Sequence, residues 1–221
     1  MLQIGVVADD FTGTASAGMM MAKAHVKTGL FLNAETMAGN DEAKKLEAIY
    51  VSTSSRALPP QAAYEAVKST TLALKAAGVR YFSKKIDTTM RGGIGYEADA
   101  MLDVLGGDTV AVMVTSMPPS KRICVGGYSV IDSVILNETS VAQDVKTPVT
   151  ECYVPAIIQK QTRRKVDLIP ITVVQQGCEA IQQALRKSRE AGTEFFILDA
   201  VSMAHEAEIA NACVELNWNI L

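Results

Sequence analysis

The chain has 221 residues, 48% of them hydrophobic and 20% charged, with 21 Lys plus Arg against 24 Asp plus Glu and a net charge of −3. That balance excludes bulk disorder, which needs fewer apolar residues and more net charge. It also argues against a nucleic-acid partner, because the clusters Lys84-Lys85, Lys121-Arg122 and Arg163-Arg164-Lys165 are short and carry no interleaved aromatic residues.

Residues 3–8 are β-branched rich and stop at Asp9-Asp10, which predicts a buried strand. A helix is predicted over 13–25, built of small residues and methionine (Ala15, Ala17, Gly18, Met19, Met20, Met21) that let it lie close to a sheet, with Asp10 or Thr12 able to cap it. Strands follow at 29–32 and 48–52. After Pro59-Pro60 a helix places Ala63, Val67, Thr70 and Leu74 on one face and ends at Gly78. A strand at 80–86, a glycine-rich loop at 91–95, a helix with Ile94, Ala98, Met101 and Leu105, and a strand at 109–115 continue the alternation.

Residues 116–150 break the rhythm with turn residues and a β-rich stretch at 128–136, read as an inserted hairpin or lid. Alternation then resumes with strands at 166–171 and 194–198 and helices carrying Cys178, Ile181 and Leu185, then Met203, Ala207, Ala210 and Val214. The expected class is α/β, a mostly parallel sheet with helices on both faces and the β-rich insertion at 116–150, with residues 1–221 forming one large domain or two small ones. The stretch from Trp218 is either the start of a strand cut short or a last edge strand.

Four scattered cysteines without a CxxC pair, and only His25 and His205, argue against a zinc site. No apolar run approaches the ~18 residues of a membrane span. The first ten residues carry no basic leader, so a reduced, cytoplasmic protein without a membrane partner is expected.

Chemistry gathers where strands end. Ala8-Asp9-Asp10-Phe11-Thr12-Gly13 brings two carboxylates and a hydroxyl to a strand end before a helix, where open α/β sheets bind ligands. The plainer alternative is that Asp10 and Thr12 only cap the helix. The run from Lys84 to Gly95 supplies two cations, Asp87, Thr88, Thr89 and the fork-shaped Arg91, but its lysines precede its glycines, so it is no Walker A loop. A third segment offers Lys121-Arg122, Gly126-Gly127, Glu138, Asp144 and Thr147-Pro148-Val149-Thr150. These clusters suit a small anionic ligand such as a hydroxy acid.

Four motifs, Ala8-Asp9-Asp10-Phe11-Thr12-Gly13, Lys85-Ile86-Asp87-Thr88-Thr89-Met90-Arg91-Gly92 with Ile94-Gly95, Arg122 with Val125-Gly126-Gly127, and Thr147-Pro148-Val149-Thr150, carry a resemblance to the four-carbon acid sugar kinase family. It implies an ATP-dependent kinase that phosphorylates a hydroxyl of a small sugar acid such as threonate or erythronate. The chain resembles the N-terminal, sugar-acid-binding domain of that family. A C-terminal nucleotide-binding domain, the main seat of ATP and Mg2+, is then expected as its partner, and this chain alone is expected to be inactive. The alternative is a standalone, non-catalytic sugar-acid-binding or regulatory protein.

Carried onto this sequence, the resemblance implies Asp10, or in its place Asp87, as the catalytic residue that orients or deprotonates the accepting hydroxyl. Asp9, Thr12, Lys85, Thr89, Arg91, Gly92 and Arg122 are implied as substrate-binding residues, with no metal ligand among them. Two departures stand out, Ser16 where the family usually has an aspartate and Lys121 where it commonly has a small residue, and together they favour a more anionic ligand or mark an altered activity. A surface shaped for the second domain also makes self-association an expectation.

Overall fold

The computed structural model describes residues 3–221 and divides into two compact units. The first runs to Asp87 and adds Gly92–Gly106 and Leu221; the second is Thr88–Arg91 with Gly107–Ile220.

In the first unit, strands β1 (Ile4–Ala8), β2 (Thr28–Phe31), β3 (Ala48–Ser52) and β4 (Tyr81–Lys85) form an all-parallel sheet in the order β2-β3-β1-β4. Its helices are α1 (Phe11–Lys23), α2 (Ala34–Ala38), α3 (Pro60–Ala76) and α4 (Ile94–Leu105). Alternation along each strand sorts the two faces. Val6, Ala48 and Tyr50 pack with Ala17 and Met21 of α1, while Val7, Ile49 and Val51 pack with Val67 and Leu74 of α3 and Met101 of α4.

The small residues of α1 have the expected use: a Cβ at Gly18 would land 2.2 Å from a methyl of Leu30. On α3, Ala63, Val67 and Leu74 are wholly buried and Thr70 nearly so, the face foreseen from their spacing. Truncating Leu74 to alanine costs about 2–5 kcal/mol in such a setting.

The strand order creates the site. From β1 the chain crosses over α1 to β2 on one side, and from β3 it crosses over α3 to β4 on the other, so helices leave adjacent strands toward opposite faces. Such a reversal opens a crevice at the carboxyl ends of the two strands. Register brings the ends level, because Ala8 pairs with both Ser52 and Lys85.

The second unit has its own parallel sheet, β5 (Ala111–Val114), β10 (Phe195–Leu198) and β9 (Val166–Ile169), in the order β5-β10-β9. Helices α7 (Cys178–Glu190) and α8 (Met203–Leu216) bury Ile181, Leu185, Ile209, Ala212 and Leu216 with Phe196 and Leu198. The insertion folds as an antiparallel meander of β6 (Arg122–Val125), β7 (Tyr128–Ile131) and β8 (Val134–Ile135).

The parallel α/β class and the β-rich insertion stand as expected, but the parallel strands are divided between two sheets rather than sharing one. The stretch beginning at Trp218 makes a single parallel bridge, Ile220 to Val110, at the edge beside β5. Helix α5 (Val154–Gln159), the short α6 (Ile171–Val174) that cuts the predicted strand 166–171 short, and α2 carry too few turns to leave a periodic signal.

Candidate functional site

Asp9 and Asp10 follow β1 directly. Asp9 is 3% exposed, a burial that a carboxylate tolerates only when it is paired. Its partner is Arg56, in the loop after β3, whose Nε donates to Asp9 Oδ2 at 2.6 Å and whose Nη2 donates to Oδ1 at 3.2 Å. The third guanidinium nitrogen, Nη1, lies 2.7 Å from Asp10 Oδ2. The other oxygen of Asp10 accepts the Gly13 N–H at 2.7 Å and caps α1, so the helix-cap role and the place in the charged cluster hold together. A Cβ on residue 13 would lie 2.5 Å from that capping oxygen and 3.4 Å from Lys85 Nζ.

The loop carrying Arg56 is stitched down at several points. Thr53 Oγ1 donates to Ala8 O, the Arg56 N–H donates to Asp9 O, and Ser55 Oγ donates to Glu97 Oε1 at 2.6 Å. Glu97, 1% exposed, is paired with Lys84 Nζ at 2.7 Å, and the Lys84 side chain is 6% exposed. The ammonium of Lys84 is therefore committed below the site. Gly92 has φ +90, and a Cβ there would sit 3.1 to 3.3 Å from the main chain and Cγ of Arg56. Glycine is needed both for the left-handed backbone and for that approach.

Burial works against the charge on Arg56, but the hydrogen bond and field of Asp9, with Asp87 and Asp10 beyond, hold its pKa above the ordinary value. Lys85 goes the other way: burial lowers its pKa, outweighing the pull of Asp9, Asp87 and Asp10, and Arg56 lowers it further. Its Nζ donates to Ile86 O at 2.5 Å. Asp87 is 7% exposed, and Thr12 lies exposed in the first turn of α1.

The first unit thus gathers Asp9, Asp10, Lys85 and Asp87 of the expected residues, and adds Arg56, which motif reasoning passed over. Thr89, Arg91 and Arg122 belong to the second unit. There Arg122 Nη1 donates to Thr88 Oγ1 at 2.5 Å, and Arg91 donates to Thr89 Oγ1 at 3.1 Å and to Asp144 Oδ2 at 3.3 Å.

Asp144 is itself fixed by the turn that follows, accepting the N–H groups of Thr147 and Lys146 and the hydroxyl of Thr147. Those N–H groups, Thr147 first, outweigh desolvation and with the bond from Arg91 bring the Asp144 pKa down to about 2. The threonine opening the fourth motif therefore holds the carboxylate that tethers Arg91.

The third motif has a comparable structural use. Asp199, wholly buried after β10, accepts the N–H groups of Gly126 (2.6 Å), Gly127 (2.9 Å) and Ile171 (2.9 Å). Neighbouring Cys124 is pushed far above the usual thiol range, by burial first and by the Asp199 charge next. Asp199 was within reach of sequence reasoning, since it ends an apolar run just as Asp9 does.

Neither departure from the motifs adds a group to these clusters. The Lys121 ammonium pairs with Asp132 at 2.8 Å, both largely exposed, and the exposed Ser16 donates to Gly13 O within α1. Among the described residues, no group of three or more His, Cys, Asp and Glu is placed to hold a metal ion, and no helix is long and apolar enough to cross a membrane.

Residues 4–220 match the model of a sugar-binding N-terminal domain. A D-erythronate kinase of Heliobacterium modesticaldum is 38% identical over 96% of this chain and 48% of its own length. A D-threonate kinase of Bordetella bronchiseptica is 35% identical over 70% of this chain and 38% of its own. A solved structure from Bordetella bronchiseptica, a domain-swapped dimer with bound citrate, superposes with a TM-score of 0.83 at 28% identity over 99% of this chain and 52% of that one. The chain spans about half the length of the curated relatives it matches.

Proposed function

The chain belongs to the sugar-binding N-terminal domain family, and from that premise we propose that it is the sugar-acid-binding part of an ATP-dependent kinase that phosphorylates a hydroxyl of a four-carbon acid such as erythronate or threonate. The observation that carries the reading is the Asp9–Asp10–Arg56 cluster at the crevice between the ends of β1 and β3.

Three carboxylates (Asp9, Asp10, Asp87) stand there against two cations (Arg56, Lys85). An excess of acceptors suits the hydroxyl end of a sugar acid and repels its carboxylate. Asp10, with Asp87 as the alternative, orients the accepting hydroxyl and takes its proton. Thr12 and Lys85 contact the substrate from the same unit. Within the second unit, Arg91 and Arg122, with Thr89, are the residues suited to a carboxylate; a planar guanidinium matches a carboxylate as an ammonium does not. Phosphoryl transfer asks little of a protein beyond such positioning and charge neutralisation.

Among the described residues no group of three or more His, Cys, Asp and Glu is placed to hold a metal ion, and the glycine loop offers a nucleotide phosphate little approach at Gly92. The space beside Gly92, where a phosphate would approach the glycine loop, is taken by Arg56. We therefore assign ATP and Mg2+, which supply the phosphoryl group and offset its charge, to a C-terminal domain in the part of the relatives' length that this chain does not span. A cytoplasmic setting goes with this reading. The citrate, a hydroxy acid, and the domain-swapped dimer of the Bordetella bronchiseptica structure support an anionic ligand and a homo-oligomer.

Calorimetric titration of the 221-residue chain with four-carbon sugar acids, and separately with ATP and magnesium, tests the proposal. Sugar-acid binding without ATP binding is expected. Tight ATP binding with no sugar-acid binding overturns it.

A further inference from the structure

We propose that Arg56 divides the work between the two adjacent carboxylates, holding Asp9 as a fixed anchor and presenting Asp10 to the ligand, so that preference for hydroxylated acids depends on a guanidinium at position 56. This rests on the sugar-acid reading above and adds to it a positioning residue that lies outside all four motifs.

The two aspartates are chemically identical and adjacent, yet their surroundings differ. Asp9 is 4% exposed at its side chain and spends both oxygens on the fork of Arg56. Asp10 is 28% exposed, gives one oxygen to the start of α1, and meets only one N–H-bearing nitrogen of Arg56 with the other. A carboxylate oxygen accepts more than one hydrogen bond, so Asp10 Oδ2 can take a ligand hydroxyl while it stays aimed by Arg56. Asp9, almost cut off from solvent, lacks the exposure.

The arginine is itself held. Its N–H donates to Asp9 O, the preceding Ser55 is tied to the buried Lys84–Glu97 pair, and Gly92 lies against its main chain. Three nitrogens of one rigid plane engaging two carboxylates is a task for which lysine, a single point of charge, has no geometry. Charge alone will therefore not substitute for shape.

The test uses Arg56→Met, Arg56→Lys and Arg56→Ala in the 221-residue chain, each titrated with D-erythronate, D-threonate and unhydroxylated butyrate. The expected result is that the preference for the hydroxylated acids over butyrate falls by about tenfold or more in Arg56→Met, the scale of one charge-assisted hydrogen bond. Arg56→Lys should recover little of that preference, and guanidinium ion added to Arg56→Ala should restore part of it. A purely structural role would weaken all three acids alike, and that result, or an unchanged preference, overturns the proposal.

A ligand-free measurement separates this inference from the reading beneath it. Melting temperatures of Asp10→Asn, Arg56→Met and the double variant should be non-additive, the double variant losing less than the sum of the single losses. If the wild-type chain binds none of the acids while that coupling persists, the sugar-acid reading fails and the grip of Arg56 on Asp10 stands. Additive losses remove the grip, and the proposal with it.

Discussion

The carboxylate of Asp10 and the main chain of Gly13 are locked together, one oxygen accepting the Gly13 N–H at 2.7 Å in a space where a Cβ at 13 would lie 2.5 Å from that same oxygen. For Gly13→Ala, two effects on stability oppose each other. Alanine gains ~1 kcal/mol over glycine in a helix, and losing the cap costs ~1 kcal/mol. The melting temperature should therefore barely move while sugar-acid affinity drops by about tenfold, a separation that calorimetry beside a thermal melt would read.

Arg91→Lys keeps the charge and discards the fork. If Arg91 grips the substrate carboxylate, affinity should fall by more than about tenfold, because a charged, bidentate contact is worth ~1.5–3 kcal/mol. Unchanged affinity in the same titration would take Arg91 out of the site.

Lys85 pays for its position in stability. Burial lowers its pKa from the ordinary 10.5, so across the interval between the folded value and 10.5 the unfolded chain binds more protons and stability rises with pH. Lys85→Met should accordingly melt higher than the wild type at neutral pH, and that advantage should shrink as pH approaches 10.5. An advantage that stayed constant with pH would mean the ammonium is not the source of the cost.

Asp144 has the opposite linkage. Its pKa, about 2 against an ordinary 3.8, gives stability that is complete above the ordinary value and is lost as pH falls through about 2. Wild type and Asp144→Asn should differ in melting temperature at pH 5 and converge near pH 2. The variant also removes the Asp144 carboxylate from Arg91, so a change in sugar-acid affinity at neutral pH is expected alongside.

Asp199→Asn replaces a carboxylate that serves three main-chain donors with a group offering one oxygen and an NH2 that faces an N–H. A loss of about 3 kcal/mol is expected for leaving buried donors unsatisfied. A urea unfolding midpoint that did not move would show that the Gly126-Gly127 turn closes without it.

The fold is legible in the sequence where a pattern is local. The strands ending at Ala8 and Ser52, the next strand to within one residue of its end at Lys85, the buried face of α3 and the acids after β1 were all legible, because apolar period and strand-end polarity are written in consecutive residues. Arg56 was not, since it sits in an aperiodic loop and its carboxylate partner is 47 positions away in the chain. The separation of β5, β9 and β10 into a second sheet was invisible for the same reason, because strand pairing is a long-range choice that the strands' own residues do not encode.

Lys84 and Glu97 constrain how this sequence can drift. Both side chains are almost cut off from water, and Glu97 also receives the Ser55 hydroxyl that steadies the Arg56 loop. Replacing either one strands the other's charge in the interior, at ~3–5 kcal/mol, whereas exchanging both for well-packed apolar groups is close to neutral. The two positions therefore form a ratchet: single steps away from the pair are barred, and a lineage leaves it only by a concerted change that must also find a new anchor for Ser55.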